Sequence, residues 1–244
     1  MKIDPSNTSD LSAQIATAIR DAIVAGSLPV DKRLPSESEL ADHFAVSRPT
    51  VREALKRLAA QALIRTQRGA TGGAFVNRQT YPEAHAQQIT TATLLLSMND
   101  ISFATACEAR YALERACAPL AAARRTDAQL TTMQAEIARQ QDPDLTDEAF
   151  CASDITFHRA LVDAAHNPVL SYQLAGAVEA MQPLMNMITF PARSRARIVT
   201  LHGAIAAALS ARDATTCDAE LVALARYTLD LAETVFAARA AKAP

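Results

Sequence analysis

The chain has 244 residues, a formal net charge of −2, 50% apolar residues and no tryptophan. This length is enough for one large domain or two ordinary ones, and the alanine-rich composition favours closely packed helices. No stretch approaches the roughly 20 apolar residues of a membrane helix, and the first ten residues lack the apolar run of a secretion signal. The four cysteines show no C-x-x-C spacing. We therefore expect a cytoplasmic protein with reduced cysteines and no membrane partner.

Positive charge is concentrated at the N-terminal end of the chain. Residues 1–78 hold 11 Lys or Arg against 8 Asp or Glu, whereas the remaining residues hold 13 against 18. This asymmetry is typical of a polyanion-binding module that is followed by a different domain. We therefore predict a first domain at residues 1–78, a linker at 79–82 and a second domain at 83–244.

The first domain carries the patterns of three helices and a hairpin. Apolar residues at four-residue steps predict a helix over residues 10–25. Ser36, with Glu39 three residues later, predicts a capping box at the start of a short helix. After a tight turn, Ser47 is the predicted N-cap of a third helix, and two strand-like segments around glycines predict a hairpin over residues 64–76. Together these elements predict a winged helix-turn-helix.

The predicted third helix carries cationic side chains at regular intervals. Arg48, Arg52 and Lys56 follow one another in steps of four residues and share one stripe, while Val51 and Leu58 share a neighbouring apolar stripe. A helix in the major groove presents arginine to guanine or to phosphates, and a glycine-rich wing can approach the DNA backbone. The pattern therefore predicts binding to double-stranded DNA; a solvated cationic helix face is the simpler alternative.

Residues 10–77 resemble the DNA-binding domain of GntR-type bacterial transcription regulators. The resemblance is carried by the segment LPSESELADHFAVSRPTVREALKRLAAQALI and, after it, by RGATGGAFV. It implies operator contacts from the residues Ser47, Arg48, Thr50 and Arg52, and a minor-groove contact from the wing residues Arg68 and Gly69. Many members of that family carry arginine where this chain has Ser38, so the resemblance also implies a different operator preference.

From Tyr81 onward the sequence shows only helical patterns. The predicted helices span residues 83–98, 101–124, 127–141, 146–166, 168–188, 192–211 and 214–240. The expected fold class is therefore mainly α: a winged helix-turn-helix that is followed by an all-α antiparallel helical bundle.

Several polar side chains fall on the apolar faces of these predicted helices. Asp154 and His158 lie one turn apart on one helix, His202 lies on a second, and Arg110 lies on a third. Buried polar groups are costly unless they have partners, so we expect these four to converge. One Asp and two His suit Zn, Ni or Mn, and arginine suits a carboxylate. Satisfied core histidines are the structural alternative.

Residues 83–235 resemble the FCD effector domain of the FadR branch of GntR regulators. The motifs are EARYALERACAPLAAA, DITFHRAL and HNPVL. The resemblance implies metal ligands at Asp154, His158 and His202, and a further histidine 22 residues after His202. That position is Leu224 here, and Glu220 is a possible substitute one turn away. The chain thus holds either a three-ligand metal that water or an effector completes, or no metal.

These patterns together predict a ligand-responsive transcription regulator without catalytic residues. We expect a repressor that binds a near-palindromic operator as a homodimer and is released by a small carboxylate effector held by Arg110. A fatty acyl-CoA is a second effector class. Two alternatives stay open: a metal-dependent enzyme tethered to DNA, and an architectural DNA binder whose bundle only dimerises.

Overall fold

The computed structural model describes residues 10–69, 72–98, 101–181, 185 and 195–241. Its elements in chain order are α1 (Leu11–Val24), α2 (Glu37–Phe44), α3 (Arg48–Ala60), β1 (Ile64–Gln67), β2 (Gly73–Val76), α4 (Tyr81–Met98), α5 (Phe103–Arg124), α6 (Asp127–Gln140), α7 (Asp147–Asp163), α8 (Pro168–Val178), α9 (Arg195–Ser210) and α10 (Ala214–Ala240). The predicted fold class is confirmed. The chain divides into two compact units, Met1–Ala84 and His85–Pro244. None of the helices in the described residues is long and apolar enough to cross a membrane.

The first unit encloses a small apolar core between its three helices. Ile15 and Ile19 of α1, Leu40 of α2, and Val51 and Leu58 of α3 are all buried. Burying such side chains stabilises a fold by roughly 1.5–3 kcal/mol each before the entropic cost of ordering them. The apolar stripe of α3 therefore faces inward, which leaves the cationic stripe of the same helix at the surface.

Side-chain caps determine where the two helices of the helix-turn-helix begin. The Ser36 hydroxyl accepts from the Glu39 N–H, and the Glu39 carboxylate accepts from the Ser36 N–H at 2.7 Å, which is the predicted capping box. Ala45 has a φ of 53°, a left-handed conformation that turns the chain between α2 and α3. The Ser47 hydroxyl then accepts from the Thr50 N–H and caps α3. Each predicted start signal in this unit has its expected partner.

The wing is an antiparallel hairpin with a third segment beside it. β1 and β2 pair so that Ile64 lies opposite Val76. The segment before α2 also pairs with β2: the Leu34 N–H donates to the Ala74 carbonyl at 2.8 Å. This pairing anchors the hairpin to the start of α2. Residues 70–71, between the strands, lie outside the described residues.

The second unit is a helical bundle around a single apolar core. α5 packs against α7, α8, α9 and α10, while α6 packs against α7 and α9. Several helices contribute fully buried side chains to this core, among them Met133, Phe157, Leu161, Ile205, Leu209 and Leu221. This arrangement brings α5, α7, α9 and α10 close enough to place polar side chains in a common interior.

Two helix boundaries differ from the prediction because of local capping. α4 begins at Tyr81, inside the predicted linker at 79–82, because the Glu83 carboxylate accepts from the Thr80 N–H at 2.9 Å and from the Thr80 hydroxyl. α7 ends at Asp163 instead of residue 166, because His166 adopts a left-handed φ of 47°. The chain therefore enters the second unit directly as helix.

The end of α8 also differs from the predicted span. α8 ends at Val178, whereas the prediction continues this helix to residue 188, and Gly176 in its last turn weakens helix formation there. α9 is described from Arg195 onward. Most of the segment between the two helices, residues 182–184 and 186–194, lies outside the described residues. The predicted boundaries in that segment therefore stay predictions.

Candidate metal and effector centre and candidate DNA interface

Asp154, His158 and His202 meet inside the second unit. One potential ligand atom from each residue lies within 4.8 Å of the other two, and no other group of three such side chains occurs in the described residues. The Asp154 Oδ1 atom lies 3.5 Å from Nε2 of His202 and 3.9 Å from Nε2 of His158. α7 supplies two of these groups one turn apart, and α9 supplies the third. The expected convergence of the three residues is therefore found.

The His158 ring is held by Glu114 of α5. The Glu114 Oε2 atom lies 2.8 Å from His158 Nδ1, and both side chains are buried. Burial raises the pKa of Glu114, but His158 and Arg110 together lower it to about 2. The ionised carboxylate accepts the Nδ1–H of His158. The other ring nitrogen, Nε2, therefore faces Asp154.

The His202 ring is held in the same way by an uncharged acceptor. Its Nδ1 atom lies 2.8 Å from Oε1 of Gln140, whose amide nitrogen donates to the Ser153 hydroxyl at 3.1 Å. The ring of Phe157 stacks on His202 at a centroid distance of 4.0 Å. Because the Gln140 oxygen only accepts, the proton of His202 lies on Nδ1 and the lone pair on Nε2.

That lone pair faces another acceptor. His202 Nε2 is buried and has no hydrogen-bond partner among the described residues. Burial lowers the pKa of His202 to about 3, so the ring is neutral at pH 7. Burial raises the pKa of Asp154, but the charges around it, with Arg110 among them, outweigh burial and lower it, so Asp154 is ionised. Two acceptors at 3.5 Å repel one another unless a cation or a hydrogen-bond donor lies between them. The donor set and this orphaned nitrogen fit a metal ion.

Arg110 lies beside these groups but is already paired. Its Nε donates to Glu114 Oε1 at 2.8 Å, its Nη2 lies 3.8 Å from Asp154 Oδ2, and only 3% of the side chain is exposed. Burial lowers the pKa of Arg110, but Glu114, Tyr111 and Asp154 outweigh burial and raise it. The guanidinium therefore stays charged. It links the Glu114 carboxylate, which holds His158, to the Asp154 carboxylate, which faces both histidines.

A small cavity adjoins the cluster. Arg110, Asp154 and His158 form its polar side, while Leu224 and Ile198 are among its apolar lining residues. Its free volume of about 20 Å³ accommodates an ion or a water molecule but not a metabolite. Leu224 is buried and supplies no ligand atom where the FCD resemblance implies histidine.

The proposed substitute at Glu220 is not part of the metal-ligand group. Within the described residues, that group comprises only the three members Asp154, His158 and His202. Glu220 is half-buried in the first turns of α10, whereas Leu224 lines the cavity. The site therefore offers three protein ligands.

Glu114 and Gln140 are the two functional candidates that the sequence analysis missed. Glu114 follows Arg110 by four residues on one helix, and an opposite-charge pair at this spacing is a usable signal. Gln140 is the last residue of α6, and no pattern in the sequence distinguishes it from an ordinary polar helix end.

Replacing Glu114 by Ala is expected to weaken metal binding by about 10–100-fold, the usual effect of removing an outer partner of a ligand histidine. The loss arises because His158 is no longer oriented and Arg110 loses its nearest carboxylate. Competition with a chromophoric chelator measures the affinity. Asp218→Asn, which removes an exposed carboxylate paired with Arg115, is the matched control. Equal affinities in the two variants would contradict this role.

The cationic stripe of α3 is exposed, as the sequence predicts. Arg48, Arg52 and Lys56 all project from the surface of the first unit. Arg52 and Lys56 also border a groove of about 470 Å³ between α3 and the wing, together with Thr66 of β1. Positive side chains along such a groove are suited to a phosphate backbone.

The remaining predicted DNA contacts lie at the start of α3 and at the end of β1. The Ser47 and Thr50 hydroxyls lie 2.8 Å apart, and Ser47 also caps the helix. Arg68 and Gly69 are exposed directly after β1. Gly69 has a φ of 109°, which favours glycine, and its carbonyl accepts from the Gly72 N–H at 2.9 Å.

Two family profiles match the chain. The profile described as "Bacterial regulatory proteins, gntR family" matches residues 11–76, and the profile described as "FCD domain" matches residues 105–226. These matches cover the two regions in which the sequence analysis finds its resemblances.

Curated relatives and solved structures agree with these profiles. The chain is 34% identical over 176 residues to the putative L-lactate dehydrogenase operon regulatory protein of Escherichia coli. The matched region covers 70% of this chain and 65% of that relative. It is also 34% identical over 177 residues to the galactonate operon transcriptional repressor of Escherichia coli. The matched region covers 69% of this chain and 72% of that repressor. The structure of a GntR protein from Streptococcus agalactiae matches with a TM-score of 0.58 and 20% identity, over 92% of this chain and 100% of that one, and so shares the fold.

Proposed function

The chain belongs to the GntR family of bacterial regulatory proteins and carries an FCD domain, and from this premise we propose that it is a transcription repressor whose second unit senses a small metabolite. The observation that carries the sensor part is the neutral His202 Nε2, which faces the Asp154 carboxylate without a donor between them. The relatives are named as regulators and lend no support to the enzyme alternative.

The first unit is the DNA-binding part of this proposal. Arg48, Arg52 and Lys56 form an exposed stripe, and the last two border the groove between α3 and the wing, which suits major-groove readout together with backbone contacts. A homodimer presents two such units, and a two-fold protein reads a near-palindromic operator because each unit contacts one half-site.

The second unit holds a divalent metal, with Zn, Ni and Mn as the candidates that suit its donors. Asp154 would hold the ion with a carboxylate oxygen, and His158 and His202 each with Nε2. A bound ion supplies a Lewis-acidic attachment point for oxygen atoms of a ligand. Because Leu224 supplies no donor, water or the effector completes the coordination.

The effector that fits this centre best is a 2-hydroxycarboxylate. When both histidines act as neutral ligands, the charges of Asp154, Glu114 and Arg110 leave the buried cluster with one net negative charge. A divalent ion reverses that sign, and a monocarboxylate then restores neutrality, which a buried site favours. The two Escherichia coli relatives are named after operons for lactate and galactonate, both 2-hydroxycarboxylates.

Effector binding must also move the protein. The cavity beside the metal ligands has room for about one water molecule, so a metabolite enters only if the lining side chains shift. A ligand changes operator affinity only to the extent that it binds one arrangement of the protein better than the other. Entry by displacement supplies such a difference.

A two-step experiment tests the proposed function. Selection from a random DNA library by the full chain is expected to enrich a near-palindromic sequence, and L-lactate or D-galactonate with Zn²⁺ is expected to release a fluorescent fragment of it. Fluorescence anisotropy measures both steps. Failure to enrich any sequence would contradict the DNA-binding part. An enriched sequence that no 2-hydroxycarboxylate releases would contradict the effector class.

The Arg110→Ala variant is expected to retain operator affinity while its release requires about tenfold or more effector, since a charge-assisted contact contributes roughly 1.5–3 kcal/mol. The variant removes the guanidinium that is proposed to contact the effector carboxylate. Anisotropy titrations of operator complexes measure the shift. Arg115→Ala, on the exposed side of the same helix, is the control. An unchanged release curve for Arg110→Ala would remove this residue from the effector site.

A further inference from the structure

Two residues in the first turn of α2 accept hydrogen bonds from Arg48 and Arg52 of α3. The Glu37 carboxylate accepts two hydrogen bonds from Arg52, from Nε at 3.1 Å and from Nη2 at 2.7 Å. The neighbouring Ser38 hydroxyl accepts from Nη2 of Arg48 at 2.7 Å. Two adjacent residues of one helix therefore fix the guanidinium groups of two side chains that stand on the DNA-facing stripe of the other.

The bidentate pair leaves part of the Arg52 guanidinium available. The carboxylate occupies Nε and one hydrogen of Nη2, whereas guanidinium carries five N–H donors. The Arg52 side chain is 57% exposed, so the other donors remain accessible to a partner. A guanidinium held by two parallel hydrogen bonds has a defined plane and direction, and it loses less conformational freedom when it then binds a base.

The same carboxylate places a negative charge beside the DNA-facing surface. The hydrogen bonds from Arg52 lower the pKa of Glu37, so the group is ionised at pH 7. Its charge opposes the approach of phosphates and offsets the attraction of Arg52 for a DNA backbone. This penalty is the same for every DNA sequence, because the phosphate backbone carries no sequence information.

These two effects act differently on operator and on unrelated DNA. Orientation of Arg52 strengthens binding only where a base presents matching acceptors, while the negative charge weakens binding to all DNA. Their combination widens the difference between the two affinities, which is the quantity that defines specificity.

We propose that Glu37 is a selectivity residue of this regulator: it positions Arg52 for base readout and suppresses binding to unrelated DNA, while Ser38 positions Arg48 without adding charge. The inference rests on the proposed DNA-binding function. It also gives a role to the serine that stands where many family members carry arginine.

The test compares Glu37→Gln with the wild-type full chain on two DNA fragments, the sequence enriched by selection and a scrambled sequence of equal length. Glu37→Gln is expected to bind the scrambled fragment more tightly and the enriched fragment no more tightly than the wild type does. The ratio of the affinity for the enriched fragment to that for the scrambled fragment is therefore expected to fall by about tenfold, which is the contribution of one well-placed base contact. The slope of log affinity against log salt for the scrambled fragment is expected to steepen by an amount that corresponds to at most about one additional phosphate contact. The reason is that Arg52 is released from Glu37 and can bind a phosphate.

Two further variants separate charge from positioning. Glu53→Gln removes a negative charge from α3 that pairs only loosely, at 3.6 Å, with Lys56, and is expected to change both affinities equally. Glu37→Asp keeps the negative charge but shortens the side chain. This variant is expected to bind the enriched fragment more weakly and the scrambled fragment with unchanged affinity. Circular dichroism confirms that each variant folds.

The outcomes distinguish this inference from the function on which it rests. If Glu37→Gln keeps the wild-type affinity ratio, or changes it no more than Glu53→Gln does, Glu37 is not a selectivity residue although the chain still binds its operator. If the wild-type chain enriches no sequence, the proposed DNA-binding function fails first, and the inference falls with it.

Discussion

The His202→Ala variant is expected to lose nearly all bound metal, with an affinity that falls by more than the roughly 10–100-fold that loss of an outer partner costs. The reason is that Nε2 of His202 is buried and has no hydrogen-bond partner among the described residues, while burial keeps the ring neutral and able to bind a metal. Metal content after loading with Zn²⁺ and gel filtration, determined by mass spectrometry, measures the effect.

The matched control for this variant is His166→Ala. His166 lies in the same unit, on the exposed turn between α7 and α8, where its Nε2 is 3.2 Å from Gln129 Oε1. This control is expected to retain the wild-type metal content. Equal metal in the two variants would place the ion elsewhere or leave the chain without one, and circular dichroism in chelator separates loss of metal from loss of fold.

The Arg52→Ala variant is expected to weaken operator binding by roughly 1–3 kcal/mol, the range for one bidentate arginine–base contact. The side chain stands on the exposed face of α3 with its guanidinium pre-oriented by Glu37. Fluorescence anisotropy on the enriched fragment at two or more salt concentrations measures the loss, because phosphate contacts and base contacts respond differently to salt.

Arg57→Ala is the control on the same helix. Arg57 carries the same charge, but its Nη1 pairs with Asp10 at 2.9 Å, on the side of α3 that faces α1. Its removal is expected to lower operator affinity much less than removal of Arg52. If both variants bind equally well, the helix face proposed for DNA readout is wrong.

The sequence predicts the first unit well because its signals are local. The capping box at Ser36 and Glu39 and the N-cap at Ser47 involve residues three apart, so the chain carries the whole interaction within one turn. The pairing of Leu34 with Ala74 could not be predicted in this way, since it joins backbone groups of residues that are 40 positions apart in the chain.

The candidate site shows the same division. Asp154 and His158 can be predicted because they are polar, one turn apart and flanked by apolar positions, and His202 because it interrupts another apolar face. The contacts that orient the two rings, from Glu114 and from Gln140, join residues 44 and 62 positions apart. They depend on how the helices pack, which no single-helix pattern contains.

Helix ends are the least predictable feature of the second unit. Residues 164–166 continue the helical composition of α7, yet the chain turns at His166, and the Asn167 carboxamide accepts from the Val169 N–H at 3.1 Å to begin α8. The side-chain cap at Asn167 and the turn at His166 outweigh the high helix propensity of the preceding alanines.

We propose that a metabolite binds the second unit through a metal held by Asp154, His158 and His202. Thermal unfolding of the full chain with L-lactate and D-galactonate, each with Zn²⁺ and with chelator, tests it most directly. At least one of these acids is expected to raise the unfolding temperature when Zn²⁺ is present, and chelator or His202→Ala is expected to abolish the rise. A rise that persists in chelator and in the variant, or no rise with either acid, would contradict it.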